Sequence, residues 1–378
     1  MRTVRLLALL LAGASMAAAC SADQSAEPQP ITWSRVQLPA EPVVLAGSGD
    51  QLVVGLRDRG AKVVPRLLLV DGDRQQEIKV APTSPYAFLA VWTSIAYDGR
   101  RVLALGGAAG GAHSNVRWTV WTGTTAGLTE LPQTFNTFGG QDAGHLYSAV
   151  ITPAGQALLG SWASTTSGLD AAVWLPQGTK WIRQDSTGTV LRSTPTLLAG
   201  PGAATSWGDA IVQTGSQVRL APNVVQQEAA VWRSTKLNDG WSRFALPEPG
   251  ARSQGLRVTC GEKLCTVAGW VEGKLALWQF DPSAKDGAGA KRLTGLPEIA
   301  VGDKAPLPAP VLAGDEVIQM VAGGNQIKVV GGRDGAWTVR ASTGPSGEVK
   351  EARLVGRTLY LLAGATDAPA TLWKTDLG

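Results

Sequence analysis

Side chains able to do chemistry are sparse in this 378-residue chain, and their spacing narrows what they can do. There are two histidines, His113 and His145, and three cysteines, Cys20, Cys260 and Cys265. The stretch Thr259-Cys260-Gly261-Glu262-Lys263-Leu264-Cys265 reads as two strand ends around a four-residue turn. That sets the two cysteines opposite each other across a hairpin, within disulfide reach, and an oxidising compartment makes the bond expected. A tetrahedral metal site would need two further ligands, and the histidines alone offer them, so no metal and no cofactor is assigned. Asp71-Gly72-Asp73 reads as a hairpin turn rather than a calcium loop. No G-x-S-x-G elbow, P-loop or H-E-x-x-H is present, and no catalytic residue is assigned.

The side chains left for a ligand are Trp162 and Trp270, each following an apolar run that reaches glycine (Gly160-Ser161-Trp162 and Gly269-Trp270), with His113, His145, Asp142, Arg333 and Asp334 in loops. Tyr86, Asn136, Gln141 and Arg192 are expected in loops of the same face. An aromatic face stacks on a sugar ring, so the two tryptophans fit a glycan groove. Two function classes follow. One is a non-catalytic binding or scaffold module that engages a protein, a glycan or a small ligand. The other is a glycan-active hydrolase or lyase, with Asp142 and Asp334 as its carboxylates; that reading requires two carboxylates about 5–10 Å apart.

The elements that position these residues recur along the chain. Seven apolar runs climb to a glycine: 52-LVVG-55, 102-VLALG-106, 157-ALLG-160, 211-IVQTG-215, 266-TVAG-269, 328-KVVG-331 and 360-YLLAG-364. The glycines stand 51, 54, 55, 54, 62 and 33 residues apart. A period of that size built on short strands predicts an all-β chain folded as a β-propeller of four-stranded blades, seven by the count of runs, with six left open by the uneven last spacings. Third strands are marked by Val120-Trp121, Val173-Trp174, Val231-Trp232, Leu277-Trp278 and Leu372-Trp373, with Trp337 to Arg340 aligned to Trp118 to Trp121. These tryptophans are expected to pack between blades. The fourth-strand pattern of Trp241 to Pro247 recurs at Trp33 to Pro39, while the chain ends soon after a third strand. The N-terminal segment is therefore expected to close the ring as the missing outer strand.

The first residues stand apart. Arg2 and Arg5 precede the apolar run Leu6 to Leu11, and Ala17-Ala18-Ala19-Cys20 follows. This resembles a bacterial lipoprotein signal, which implies cleavage after residue 19 and a lipid on Cys20. Residues 1–19 are then the signal peptide, 20–30 the lipidated cysteine and a flexible tether, and 31–378 the propeller. The implied location is the extracytoplasmic side of the cell membrane, with the membrane engaged through the N-terminal lipid and an envelope protein or glycan as partner. The repeats are similar in kind to secreted bacterial propellers of the sialidase-like and YVTN type, although an intact S-x-D-x-G-x-T-W box is absent. Charged residues are 17% of the chain, its formal charge is +4, and Lys and Arg form no basic run, so no nucleic-acid partner is expected and the chain reads as a monomer.

Overall fold

A computed structural model describes residues 30–59, 63–110, 115–140, 142–324 and 326–377. These residues fold as a β-propeller. Each unit is an antiparallel meander that starts at the centre of the ring and ends at its rim. Blade 3 shows the pattern: Ala143–Thr152 is innermost, followed by Gly155–Ala163, Leu169–Gln177 and Lys180–Arg183 at the edge. Blade 4 begins at Leu197–Trp207 and blade 5 at Ser253–Cys260. Blades 1 and 2, which begin at Glu41–Ser48 and Val91–Tyr97, join through their outer strands, which pair in parallel as Gly127↔Lys79, Leu128↔Val80 and Thr129↔Ala81. Blade 6 begins at Val311–Ala313 and blade 7 at Glu348–Val355, which completes seven inner strands around the axis.

Both ends of the chain meet at the seam. Ser34–Arg35 pairs with Lys374 and Trp373 as the outer strand of blade 7, and the Val36 N–H donates to the Leu372 carbonyl at 2.9 Å. The expected closure by the N-terminal segment is what the fold shows. The same segment does one thing more. Ile31–Thr32 runs parallel to the outer strand of blade 6, opposite Ser342 and Thr343, and Trp33 between the two short strands is 5% exposed. Its indole N–H donates to Ser342 Oγ at 3.1 Å. The segment thus covers one open edge and supplies another, which removes two places where a free strand would recruit a second chain.

The recurring glycines have a common steric cause. Six inner strands change register opposite the second strand, and a glycine faces five of the changes: Gly55 opposite Val44, Gly106 opposite Trp92, Gly160 opposite Leu146, Gly215 opposite Pro201, and Gly269 opposite Gly255, while in blade 7 Ala363 stands opposite Val349. A bulge pushes the inner backbone toward its neighbour. A Cβ on Gly160 would stand 2.3 Å from the His145 carbonyl oxygen, and one on Gly269 would stand 1.9 Å from that of Gln254. Only glycine leaves room for that approach.

Blade 6 corrects the repeat assignment. The run 328-KVVG-331 is its third strand, Gln326–Arg333, and its second strand is Glu316–Gly323. The residues around Trp337 belong to the outer strand, Ala336–Thr343, rather than to a third strand. A comparison of one third strand with six second strands produced the spacings of 62 and 33. The other tryptophan assignments match the packing. Trp121, Trp174, Trp232 and Trp278 are buried, each in a cluster that joins its own blade to the preceding one. Trp373 is partly buried at the seam. Cys260 and Cys265 form the disulfide between the inner and second strands of blade 5, with Cα atoms 3.9 Å apart. That separation is nearer to the narrow than to the wide class of cross-strand pair.

Candidate functional site

Strand direction sorts every loop onto one of two faces. Loops from second to third strands, and connections from one blade to the next, open on what we call the upper face. The tight turns from first to second and from third to fourth strands lie on the lower face. His145 is at the upper end of the inner strand of blade 3. Its ring lies edge-on to Trp118 at 5.0 Å and beside Tyr147 at 5.1 Å, and its backbone N–H donates to Ser161 Oγ at 3.1 Å. The side chain reaches water, while the surrounding rings hold its pKa below the ordinary histidine value by desolvation. Asp142 is exposed on the same face, and its carbonyl accepts the Ala163 N–H at 2.8 Å. Trp162 is partly buried there, edge-on to Trp174 at 6.0 Å, with the Arg183 guanidinium 4.9 Å from its ring. His113 and Gln141 lie outside the described residues.

Three expected ligand residues are placed elsewhere. Trp270 is 1% exposed and packs in the core between blades 5 and 6, so its ring presents no face to a ligand. Position after the glycine did not predict exposure, because the strand continues to Val271 and the ring turns inward. Arg333 and Asp334 fall in the turn between the third and fourth strands of blade 6, on the lower face. Asp334 accepts from Lys291 Nζ at 2.8 Å, from the Thr294 N–H at 2.7 Å and from Thr294 Oγ1 at 3.0 Å. These bonds, led by that from Lys291, depress its pKa to about 2. Asp334 therefore tethers blade 5 to blade 6. It is on the opposite face from Asp142, so the two do not form a glycosidase pair.

Two of the concave features lie beside the upper-face residues. The first is the central channel of about 660 Å³, walled by the inner strands. Its charged lining residues are Arg257, Glu351 and Arg353, with His145 at the upper mouth. Serines and one glutamate make a set of clasps around this ring. Ser94 Oγ accepts the Ala149 N–H at 3.0 Å, Ser148 Oγ accepts the Ala204 N–H at 2.9 Å, and Glu351 Oε2 accepts the Leu45 N–H at 2.7 Å. Each reaches the next blade from a residue at a register change of its inner strand. Sequence reasoning passed over Glu351, Arg257 and Arg353. A register change decides which side of a strand faces the axis; it leaves a facing glycine, Gly269, in blade 5 and no such mark in blade 7, where Ala363 stands at the change.

The second feature is a cleft of about 220 Å³ on the upper face between blades 2 and 3, lined by Tyr86, Val116, Arg117, Trp118, Phe135 and Phe138 among others. The Arg117 guanidinium stacks 3.9 Å from the centre of the Phe135 ring and 5.8 Å from that of Tyr86. Glu130, 3% exposed, holds the adjoining loop. It accepts N–H and O–H bonds from Thr83 and Ser84 at 2.5–2.8 Å. Burial pushes its pKa up, but the donors from Ser84 and Thr83 outweigh that and leave it lowered. The neighbouring loop presents Phe88 and Leu89 to solvent.

No family model matches the chain, and no curated protein matches it by sequence. Solved structures match its fold. It is similar to the β-propeller domain of Cps50 (Swd1) from Myceliophthora thermophila, at 9% identity over 92% of this chain and 100% of that one, with a TM-score of 0.56. The β-propeller domain of the Trilobed protease from Pyrococcus furiosus matches at 8% identity over 91% and 97%, with a TM-score of 0.53. YCF48 bound to D1 peptide matches at 12% identity over 92% and 98%, with a TM-score of 0.50. At these identities the likeness defines the class of the fold, a β-propeller, and no particular activity.

Proposed function

We propose that this protein is a binding propeller that docks a protein segment on its upper face, at the cleft between blades 2 and 3. One observation carries the reading. Among the described residues eleven large apolar side chains are exposed, and eight of them belong to the upper face: Val64, Phe88, Leu89, Val116, Phe135, Leu169, Val224 and Val225. Scattered exposed apolar residues need no explanation, but their concentration on one loop face marks an interaction surface. Arg117 makes no ion pair among the described residues, and its Nε has no hydrogen-bond partner. A segment carrying an apolar side chain beside an acidic one fits that cleft, the apolar group against Phe135 and the carboxylate on Arg117. Support for binding over glycan hydrolysis comes from the channel, whose one lining carboxylate, Glu351, is engaged by the Leu45 N–H.

The lipoprotein-like signal at residues 1–20 supports a module on the extracytoplasmic side of the membrane, held by a lipid on Cys20. The described chain begins at the rim, where Ile31–Thr32 lies outermost on blade 6. The ten residue-to-residue steps from Cys20 to Pro30 reach at most about 35 Å. Attachment at the rim leaves the upper face accessible. The test is photo-crosslinking in intact cells from a probe at position 88, next to the cleft. The expected result is a defined adduct that is lost with Arg117→Ala and kept with the lower-face change Leu264→Ser. An adduct indifferent to Arg117 would refute the cleft. For the anchor, Cys20→Ser is expected to release the protein from the membrane fraction, and retention would refute it.

A further inference from the structure

The charge of the central channel is unbalanced. Arg257 comes from the inner strand of blade 5, and Glu351 and Arg353 from that of blade 7. Two guanidiniums thus line a space with one carboxylate, and the contact to it is loose. Arg353 Nη2 stands 3.9 Å from Glu351 Oε2, and that same oxygen is committed to the Leu45 N–H. Among the described residues the one side-chain hydrogen bond of each arginine runs to a neighbouring backbone carbonyl, Arg257 to Leu256 and Arg353 to Ala352, both at 3.0 Å. Each guanidinium has five N–H donors, so most are unmatched by protein. Burial lowers the pKa of Arg257; Glu351 opposes this and Arg353 adds to it. The site is wet, with Arg353 and Glu351 34% and 20% exposed, yet walled on all sides by inner strands. A cation held in a narrow channel with half a counter-charge is a vacancy for an anion.

We propose that this stretch of the channel binds a small organic acid, its carboxylate received by Arg257 and Arg353. Planar guanidiniums suit carboxylate and phosphate alike, through paired hydrogen bonds. Glu351 decides between them. With it in place the channel carries one net positive charge, which a monovalent carboxylate neutralises, whereas dianionic phosphate brings excess charge against Glu351. Oε1 of Glu351 has no hydrogen-bond partner among the described residues. A hydroxyl next to the carboxylate of the ligand donates to that oxygen, so a hydroxy acid binds better than the plain acid. The channel volume of about 660 Å³ is within the range of small-molecule sites, and Tyr147, Thr205, Gln254 and Thr259 supply further polar lining.

The test is calorimetric titration of the mature protein, in detergent, with lactate, propionate and inorganic phosphate. The expected order is lactate above propionate above phosphate. Arg257→Gln and Arg353→Gln should each weaken lactate about ten- to a hundredfold, the size of a charge-assisted hydrogen bond. Glu351→Gln keeps an acceptor for Leu45 but removes the negative charge, so it should tighten propionate and, more strongly, phosphate. No saturable binding of either carboxylate, unchanged lactate affinity in folded arginine variants, or phosphate as the tightest wild-type ligand would each overturn the proposal. Equal affinity for lactate and propionate would overturn the role given to Oε1. Near-UV circular dichroism identifies any arginine variant that fails to fold. The Glu351→Gln titration then decides alone, because an unchanged phosphate affinity overturns the site.

Discussion

Replacing Trp33 by alanine should loosen the ring at its seam. The indole is buried at 5% exposure among Ile31, Met320, Val329, Val349 and Leu361, side chains of blades 6 and 7. Removing a buried tryptophan from a core costs about 3–5 kcal/mol. Loss of the 3.1 Å hydrogen bond to Ser342 Oγ is included in that figure and accounts for about 1 kcal/mol of it. The cost falls on the short segment that holds blade 7 closed. Unfolding entropy for a domain of this size is about 0.7 kcal/mol/K, so a loss of about 4 kcal/mol lowers the melting temperature by about 6 °C. Differential scanning calorimetry of wild type, Trp33→Ala, Ser342→Ala and the double variant measures this. The Ser342 change alone should cost about 1 kcal/mol, and the double variant should fall short of the sum by a similar amount. A melting temperature for Trp33→Ala within 1 °C of wild type would refute the reasoning, for the N-terminal segment would then contribute nothing to closure.

Two further outcomes follow from the fold. Gly269→Ala forces a Cβ to 1.9 Å from the Gln254 carbonyl oxygen and should cost at least about 1–3 kcal/mol, read by urea denaturation, whereas Gly302→Ala, with 3.8 Å to its nearest neighbour, should leave the midpoint unchanged. Asp334 has its folded pKa depressed to about 2 by Lys291 and Thr294, so its contribution is complete above the unfolded carboxylate pKa near 3.8 and is lost as pH falls toward 2. Asp334→Asn should therefore flatten the stability profile between about pH 4 and 2, by a small amount because both partners are largely exposed, and a profile parallel to wild type would refute the tether.

The set of clasps around the channel shows how one structural position serves two purposes. Ser94 and Ser148 accept a backbone N–H of the next blade and do nothing else in the channel. Glu351 accepts the Leu45 N–H in the same way, across the seam between blade 7 and blade 1. A serine would suffice for that bond. The carboxylate adds a charge and a second oxygen at the level of Arg257 and Arg353. Burial, the largest effect, raises the pKa of Glu351, against the lowering effects of Arg353, the Leu45 N–H and Arg257. Its ionised form is thus the strained partner of the pair, which is why an added anion and Glu351 are expected to compete for the same guanidiniums.

Much of the architecture was legible from local chemistry. The seven glycine-ended runs, the third-strand tryptophans, the cysteine hairpin and the closing motif Trp33 to Pro39 each rest on a contact within one blade or between neighbours, and a period of about 54 residues repeats them. Blade 6 was misread because a third strand, Gln326–Arg333, carries the same apolar-to-glycine pattern as a second strand. The ligand residues were less legible. Trp162 and Trp270 follow glycines alike, but one ring is partly exposed beside Arg183 and the other is sealed between blades. Arg333 and Asp334 read as pocket-face loop residues only if their strand is the second; with Glu316–Gly323 in that place theirs is the third, and its end lies on the lower face.

The amino-acid sequence by itself determined the repeat, the strand-rich blades, the pairing of Cys260 with Cys265 and the return of the N-terminus to the last blade. All of these follow from short-range periodicity and steric demand. The tertiary structure alone decided what meets across the axis. Arg257 and Glu351 are 94 residues apart in sequence, and no local pattern marks either. They share the channel because register changes in two separate inner strands turn both side chains toward it. Closing the ring then brings blade 5 and blade 7 to the same central channel.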